Sequence, residues 1–237
     1  MSNDDFVIAR PAAPAVPVFG GGLFPVRRIY CVARNYAAHA REMGADPTRE
    51  APFFFTKPGD AVLPVGEGQT GRFDYPLGTQ DVHHEIELVV ALCAGGENLS
   101  PEAAEECIWG YAVGLDMTRR DLQAEAKAKG RPWDIAKAFD QSAPISPIRH
   151  LPGQVLQSGE IRLDVNGEAR QCGDLADMIW GIPEMIAYLS RYFRLQAGDL
   201  IFTGTPEGVG PVVPGDCLEG RVAGVGALAL EVVARPA

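Results

Sequence analysis

A basic excess is what this sequence most plainly lacks. Its 21 Lys and Arg stand against 31 Asp and Glu, a formal charge of -10 over 237 residues. A surface of that sign has no field with which to neutralise a phosphate backbone or an anionic bilayer, so neither nucleic acid nor a membrane is expected as a partner. No apolar run approaches the length of a bilayer span, and the opening MSNDDFVIAR is acidic, without the positive and apolar regions of a secretory leader. Cysteine is sparse and unpatterned. Cys31, Cys93, Cys107, Cys172 and Cys217 stand singly, with no CxxC pair, and an odd number cannot close completely into intramolecular disulfides. A reducing, cytoplasmic setting is the expectation. Also missing are an internal repeat, a low-complexity tract and the regular strand–helix alternation of a doubly wound sheet.

What is present is an apolar content of 46%, ample for a buried core. Pro11, Pro14, Pro17 and the triple glycine Gly20, Gly21, Gly22 mark residues 1–22 as an extended N-terminal arm, and residues 23–237 read as one domain. Runs rich in Val, Ile and aromatics predict strands at 28–32, 52–56, 85–92, 109–115, 161–165, 200–203 and 227–233. Helices are fewer. One is expected over 36–43, stopped by Gly44, and one is opened by Ser100 and Pro101. A third follows a capping box from Thr118 to Asp121 and ends at Gly130, and Pro183 opens a fourth apolar segment. This predicts an α+β chain, mostly β, built as a mixed β-sandwich or roll with peripheral helices.

In HHEIELVVAL, Glu85 and Glu87 are two apart, so on a strand both point to one face. Such pairs usually line a solvated face. Here the run continues as LVVAL, apolar on both faces, where an unpaired carboxylate would cost several kcal/mol. Hard oxygen donors suit Mg²⁺, Mn²⁺ or Ca²⁺. A third acid, Asp116, ends the apolar strand IWGYAVGLD. Its alternative role is to cap the next helix, a role Thr118 is placed to fill, which favours Asp116 as a ligand.

His39 and Glu42, three apart in NYAAHAREMG, share a helical face. Most such pairs are surface pairs, yet an imidazole oriented by a carboxylate is also an economical general base for water. Lys137, among apolar neighbours in PWDIAKAFD, either faces an anion or snorkels from a strand edge. FTGTPEGVG is a turn by composition, and its glycines can expose N–H groups beside Thr205 as a small anion nest. Gln123 lies on the helix after Asp116, where an exposed glutamine is the default. His83 is at best a second-layer neighbour of a hard cation, and His150 shows no partner.

Taken together, IYCVARNYAAHAREMG, PFFFTKPGDAV, HHEIELVVAL, GYAVGLDMTRRDLQ, GRPWDIAKAFDQSAP and GDLIFTGTPEGVG resemble, in order and spacing, the fumarylacetoacetate hydrolase family, and within it the branch that acts on fumarylpyruvate in gentisate catabolism. The resemblance spans residue 23 to the end. It implies the C-terminal-domain β-sandwich roll of that family, a homodimer, and Mg²⁺ or Mn²⁺ (Ca²⁺ as a substitute) on Glu85, Glu87 and Asp116. It further matches His39 and Glu42 to a water-activating dyad and Lys137 to a lysine at the reacting group. Gly204 and Thr205 match a turn that holds a pyruvate carboxylate, and Gln123 matches a glutamine near the substrate oxygens.

The expected partner is therefore a small anionic 2-oxo acid, and the expected reaction is hydrolysis of fumarylpyruvate or another acylpyruvate. A distal carboxylate would need a further cation, for which Arg34, Arg119, Arg120 and Arg131 are the candidates. Oxaloacetate decarboxylation, or an isomerisation of the hydroxymuconate type, is the alternative, because a site that stabilises an enolate serves all of these. A non-catalytic binder would be signalled by a broken carboxylate set or a missing His39, and both are intact.

Overall fold

In the computed structural model, residues 6–37 and 50–235 are described. The expected strands appear within a residue or so of their predicted bounds. The larger sheet runs in the order Phe53–Lys57, Ile29–Ala33, Leu200–Phe202, Ile86–Leu92, Ile108–Leu115, Ala143–Ile145 and Val62–Pro64, with Arg149–His150 pairing Ile108–Leu115 to one side. It is mixed: Leu200–Phe202 is parallel to Ile29–Ala33, and Ala143–Ile145 is parallel to Val62–Pro64. A second sheet takes the order Glu168–Asp174, Glu160–Val165, Cys217–Val222, Gly226–Val233 and Thr70–Asp74. A small sheet joins Thr118–Arg119, Val82–His84 and Gly210–Val212. The helices Pro101–Glu105, Arg120–Ala128, Asp134–Lys137 and Ile182–Leu189 lie outside the sheets, and the expectation of a mostly β mixed sandwich holds.

Strand Ile86–Leu92 shows why its sequence is apolar throughout after Glu87. Ile86, Leu88, Val90 and Leu92 enter the core shared with Leu163 and Leu218 of the second sheet, whereas Val89 and Ala91 enter a separate core with Ile29, Cys31 and Phe202. Both faces are covered, so period two separates two interiors rather than inside from outside. Close packing between the sheets needs Gly220, where a Cβ would lie 2.5 Å from Ile86 Cδ1. The second core is closed by a hairpin of Ala15–Pro17 and Leu23–Pro25, which places Val16 and Phe24 against it.

Three expectations need correction. The predicted strand 85–92 begins one residue later, as Ile86–Leu92, because Glu85 lies between it and a separate strand, Val82–His84, where the chain leaves the small sheet for the large one. Thr118 does not cap a helix: its hydroxyl donates to Asp116 O at 3.1 Å, and the helix begins at Arg120 without a side-chain cap. Lys137 is not on a strand edge but ends the short helix Asp134–Lys137, buried. Pro101 with its Ser100 cap and Gly130 at φ 59 beyond the third helix are as expected. The helix expected over 36–43, and with it His39 and Glu42, lies outside the described residues apart from its first two positions.

Candidate active site

The antiparallel ladder between Ile86–Leu92 and Ile108–Leu115 builds the carboxylate group. Ile86 pairs with Leu115 and Glu87 with Gly114, and the ladder continues past the strand ends, where Asp116 N–H donates to Glu85 O at 2.8 Å. Cross-strand neighbours share a face, so Glu85, Glu87 and Asp116 converge on the side of the second core. An oxygen from each lies within 4.8 Å of the others, and all three residues are buried.

Three cations answer them. Lys137 Nζ donates to Glu85 Oε2 at 2.8 Å and Asp116 Oδ2 at 2.7 Å. Arg120 donates from one nitrogen to Glu85 Oε1 at 2.5 Å and from another to Gln123 Oε1 at 2.6 Å. Lys57 Nζ lies 2.8 Å from Asp116 Oδ1 and donates to the carbonyls of Met117, at 3.3 Å, and of Lys137. Its approach to Oδ1 is off the hydrogen-bonding direction, and that buried oxygen has no hydrogen-bond partner among the described residues. Three buried carboxylates, each offering a hard oxygen donor within reach of the others, fit a divalent cation held by Glu85, Glu87 and Asp116.

Burial pushes the Glu87 carboxyl well above the usual carboxylate range, and the neighbouring Asp116 and Glu85 push it further. The Gly204 N–H, donating to Glu87 Oε2 at 2.7 Å, and Lys137 oppose the shift. Burial by itself would lower the Lys137 ammonium, but the carboxylates of Asp116 and Glu85 outweigh it, so its pKa is raised.

The turn after Leu200–Phe202 closes one side of this space. Thr205 lies in the cavity wall with its hydroxyl committed, donating to Ile86 O at 2.7 Å and accepting from Gln171 Nε2 at 2.8 Å. Gln171 Oε1 in turn accepts from Ile86 N at 3.0 Å and faces His84 Nδ1 at 2.9 Å, which makes Nδ1 the protonated nitrogen of that ring. Burial lowers the His84 pKa, so the ring is neutral near pH 7. Gly204 takes φ 96, and a Cβ there would lie 2.7 Å from Asn35 Cβ, so glycine is required on both counts.

Of the residues singled out in the sequence, Glu85, Glu87, Asp116, Gln123, Lys137, Thr205 and Arg34 line one cavity, and Gly204 is beside it. Gln123 is buried, and with its carbonyl oxygen taken by Arg120 it is left with its amide hydrogens to donate. His83 points elsewhere, to Asp81 Oδ1 at 2.9 Å, and His150 is exposed with its ring stacked on Trp109. Sequence reasoning missed Lys57 and Gln171. Lys57 had a readable signal, a lysine ending the apolar run PFFFTK in phase with Phe53 and Phe55. Gln171 had none.

The family profile described as fumarylacetoacetate (FAA) hydrolase C-terminal matches residues 28–233. The chain belongs to the fumarylacetoacetate hydrolase family. Within the family, it is 46% identical over 187 residues to a fumarylpyruvate hydrolase from a Ralstonia species, covering 79% of this chain and 95% of that one. It is 43% identical over 196 residues to an oxaloacetate tautomerase of Escherichia coli, covering 81% and 87% of the two chains. The crystal structure of fumarylpyruvate hydrolase from Pseudomonas aeruginosa in complex with Mn²⁺ and pyruvate superposes with a TM-score of 0.95 at 52% identity, covering 98% of this chain and 100% of that one. Among the described residues, no helix is long and apolar enough to cross a membrane.

Proposed function

We propose that the chain is a metal-dependent hydrolase that cleaves the carbon–carbon bond of an acylpyruvate, taking fumarylpyruvate to fumarate and pyruvate in gentisate-type aromatic catabolism. The observation that carries this reading is the likeness, over nearly the whole chain, to a fumarylpyruvate hydrolase crystallised with Mn²⁺ and pyruvate. A divalent cation, Mg²⁺ or Mn²⁺ with Ca²⁺ as a substitute, held by Glu85, Glu87 and Asp116, supplies Lewis-acid polarisation of a 2-oxo acid.

The chain's own residues supply the rest. His39, oriented by Glu42, takes a proton from water as it adds to the acyl carbonyl. The carbon–carbon bond then breaks, its electron pair passes to the pyruvate fragment as an enolate, and protonation of that carbon gives pyruvate. Lys137 is the buried ammonium in the cavity wall, bonded to Glu85 and Asp116, where it stabilises the negative charge that develops. The amide hydrogens of Gln123 donate to substrate oxygens, and the turn at Gly204 and Thr205 borders the 2-oxo acid end. Under this reading the enzyme works as a cytoplasmic homodimer, and gel filtration checks the dimer.

The deciding assay is pyruvate release from fumarylpyruvate and acetylpyruvate, with and without chelator. Release that stops with chelator and returns with Mn²⁺ is expected. The 43% identity to an oxaloacetate tautomerase favours a second reading, enol–keto interconversion of oxaloacetate at the same residues. Turnover of oxaloacetate, with no pyruvate released from either acylpyruvate, would establish that reading instead.

A further inference from the structure

On the helix Arg120–Ala128, the spacing of Arg120, Gln123 and Lys127 places all three on one face. Arg120 and Gln123 are bonded at the carboxylate group, and Lys127 lies one turn further out, lining the same cavity. That cavity, about 30 Å³, is too small for a substrate's carbon chain. It adjoins a second cavity of about 780 Å³, and Arg34, Phe55, Lys127, Trp133 and Lys137 line both. An acyl group extending from the carboxylate group therefore passes between these residues.

The four arginines raised by the sequence now separate. Arg119 lies over the Phe139 ring at 4.5 Å and donates to Ile135 O, away from the site. Arg120 is held on Glu85 and Gln123. Arg131, on the outer rim, is paired with Glu125 at 3.6 Å. Arg34 alone stands at the junction, in the left-handed region at φ 59, a conformation disfavoured for a non-glycine residue. Lys127 joins it. Neither has an ion-pair partner among the described residues, whereas Lys137 is committed to Glu85 and Asp116. Partial desolvation, then the charges of Arg120 and Arg34, hold the Lys127 ammonium below the usual lysine range, as expected of a cation placed among cations. Lys127 Nζ is 5.1 Å from the Trp133 ring centroid, and that ring is braced by Phe53 and Phe55.

We propose that Lys127 and Arg34 form a second anion subsite that receives a carboxylate at the far end of the acyl group, with Phe55 and Trp133 flanking the planar carbons between. The proposal rests on the hydrolase reading and deepens it, because it makes the preferred substrate a dianionic acylpyruvate. The chain's bulk charge repels such a substrate, and the local pair of cations reverses that at the junction.

Fumarylpyruvate carries a vinylene and a distal carboxylate that acetylpyruvate lacks, and of these only the carboxylate is matched to the Lys127 charge, so the test is their ratio of kcat/KM. In Lys127→Met that ratio falls about tenfold or more, through KM for fumarylpyruvate, and Lys127→Arg, which keeps the charge, restores most of it. If the Met variant fails to fold, Lys127→Gln replaces it. Calorimetry of fumarate and pyruvate binding to the Mn²⁺-loaded protein should show the matching selective loss for fumarate. Parallel falls for both substrates overturn the subsite and leave the hydrolase reading standing. A wild-type protein that hydrolyses neither substrate overturns the hydrolase reading, and fumarate affinity in Lys127→Met then decides the subsite alone, an unchanged value overturning it.

Discussion

Gln171 Nε2 donates to Thr205 Oγ1 at 2.8 Å, so a side chain of the second sheet holds a hydroxyl in the wall of a cavity built on the first. The same amide receives Ile86 N–H and His84 Nδ1–H, and with Pro206 O it has every hydrogen-bonding group engaged. All of this is buried, where an unsatisfied donor or acceptor is costly.

Replacing Gln171 with Leu leaves several of those groups without partners. We expect a loss of about 2–4 kcal/mol in unfolding free energy, read by urea denaturation. A change below about 1 kcal/mol would contradict the role given to this residue.

Two carboxylates of the trio should differ in the metal-free protein. Asp116→Asn removes the counter-charge of the buried Lys57 and Lys137 and should cost about 3–5 kcal/mol. Glu87→Gln keeps an acceptor for the Gly204 N–H and should alter metal-free stability by no more than about 1 kcal/mol. Both variants should lose Mn²⁺ binding in calorimetry. Retention of wild-type affinity by either would remove that residue from the ligand set.

The raised Glu87 pKa has a pH signature. The folded, metal-free protein keeps this proton where the unfolded chain has released it, so the group's contribution is full below the ordinary glutamate value of 4.5 and is lost as pH rises through the folded value. Thermal unfolding in chelator should therefore shift to lower Tm as pH rises from about 5 to about 8, and the gain in Tm on adding Mn²⁺ should grow over the same window. A Tm gain independent of pH would contradict it.

His39→Ala should keep Mn²⁺ affinity and lose hydrolysis by about 10²–10⁴-fold, the usual contribution of a general base. Undiminished turnover would remove the His39 and Glu42 dyad from the proposed mechanism.

Much of this site was legible because its signals are local. Glu85 and Glu87 share a face through the period of a strand, and the apolar run after them shows that the face is buried. Asp116 stood out as an acid ending an apolar strand, although Thr118 is not the cap of the next helix: its hydroxyl bonds to Asp116 O instead. For Lys137 the local signal was insufficient, because a single lysine among apolar residues reads equally as a snorkelling side chain.

The sequence by itself determined the residue types of the site, the sharing of one face by two carboxylates, the mostly β character and, through six motifs in order, the family. Only the tertiary structure decided that Lys57, Arg120 and Lys137 neutralise those carboxylates, that Gln171 holds Thr205 across 34 residues of chain, and that Arg34 lines both cavities. The physical reason is the range of the constraint. Backbone geometry fixes which side a residue faces over a few positions, whereas strand register and the packing of one sheet on another fix what it meets there.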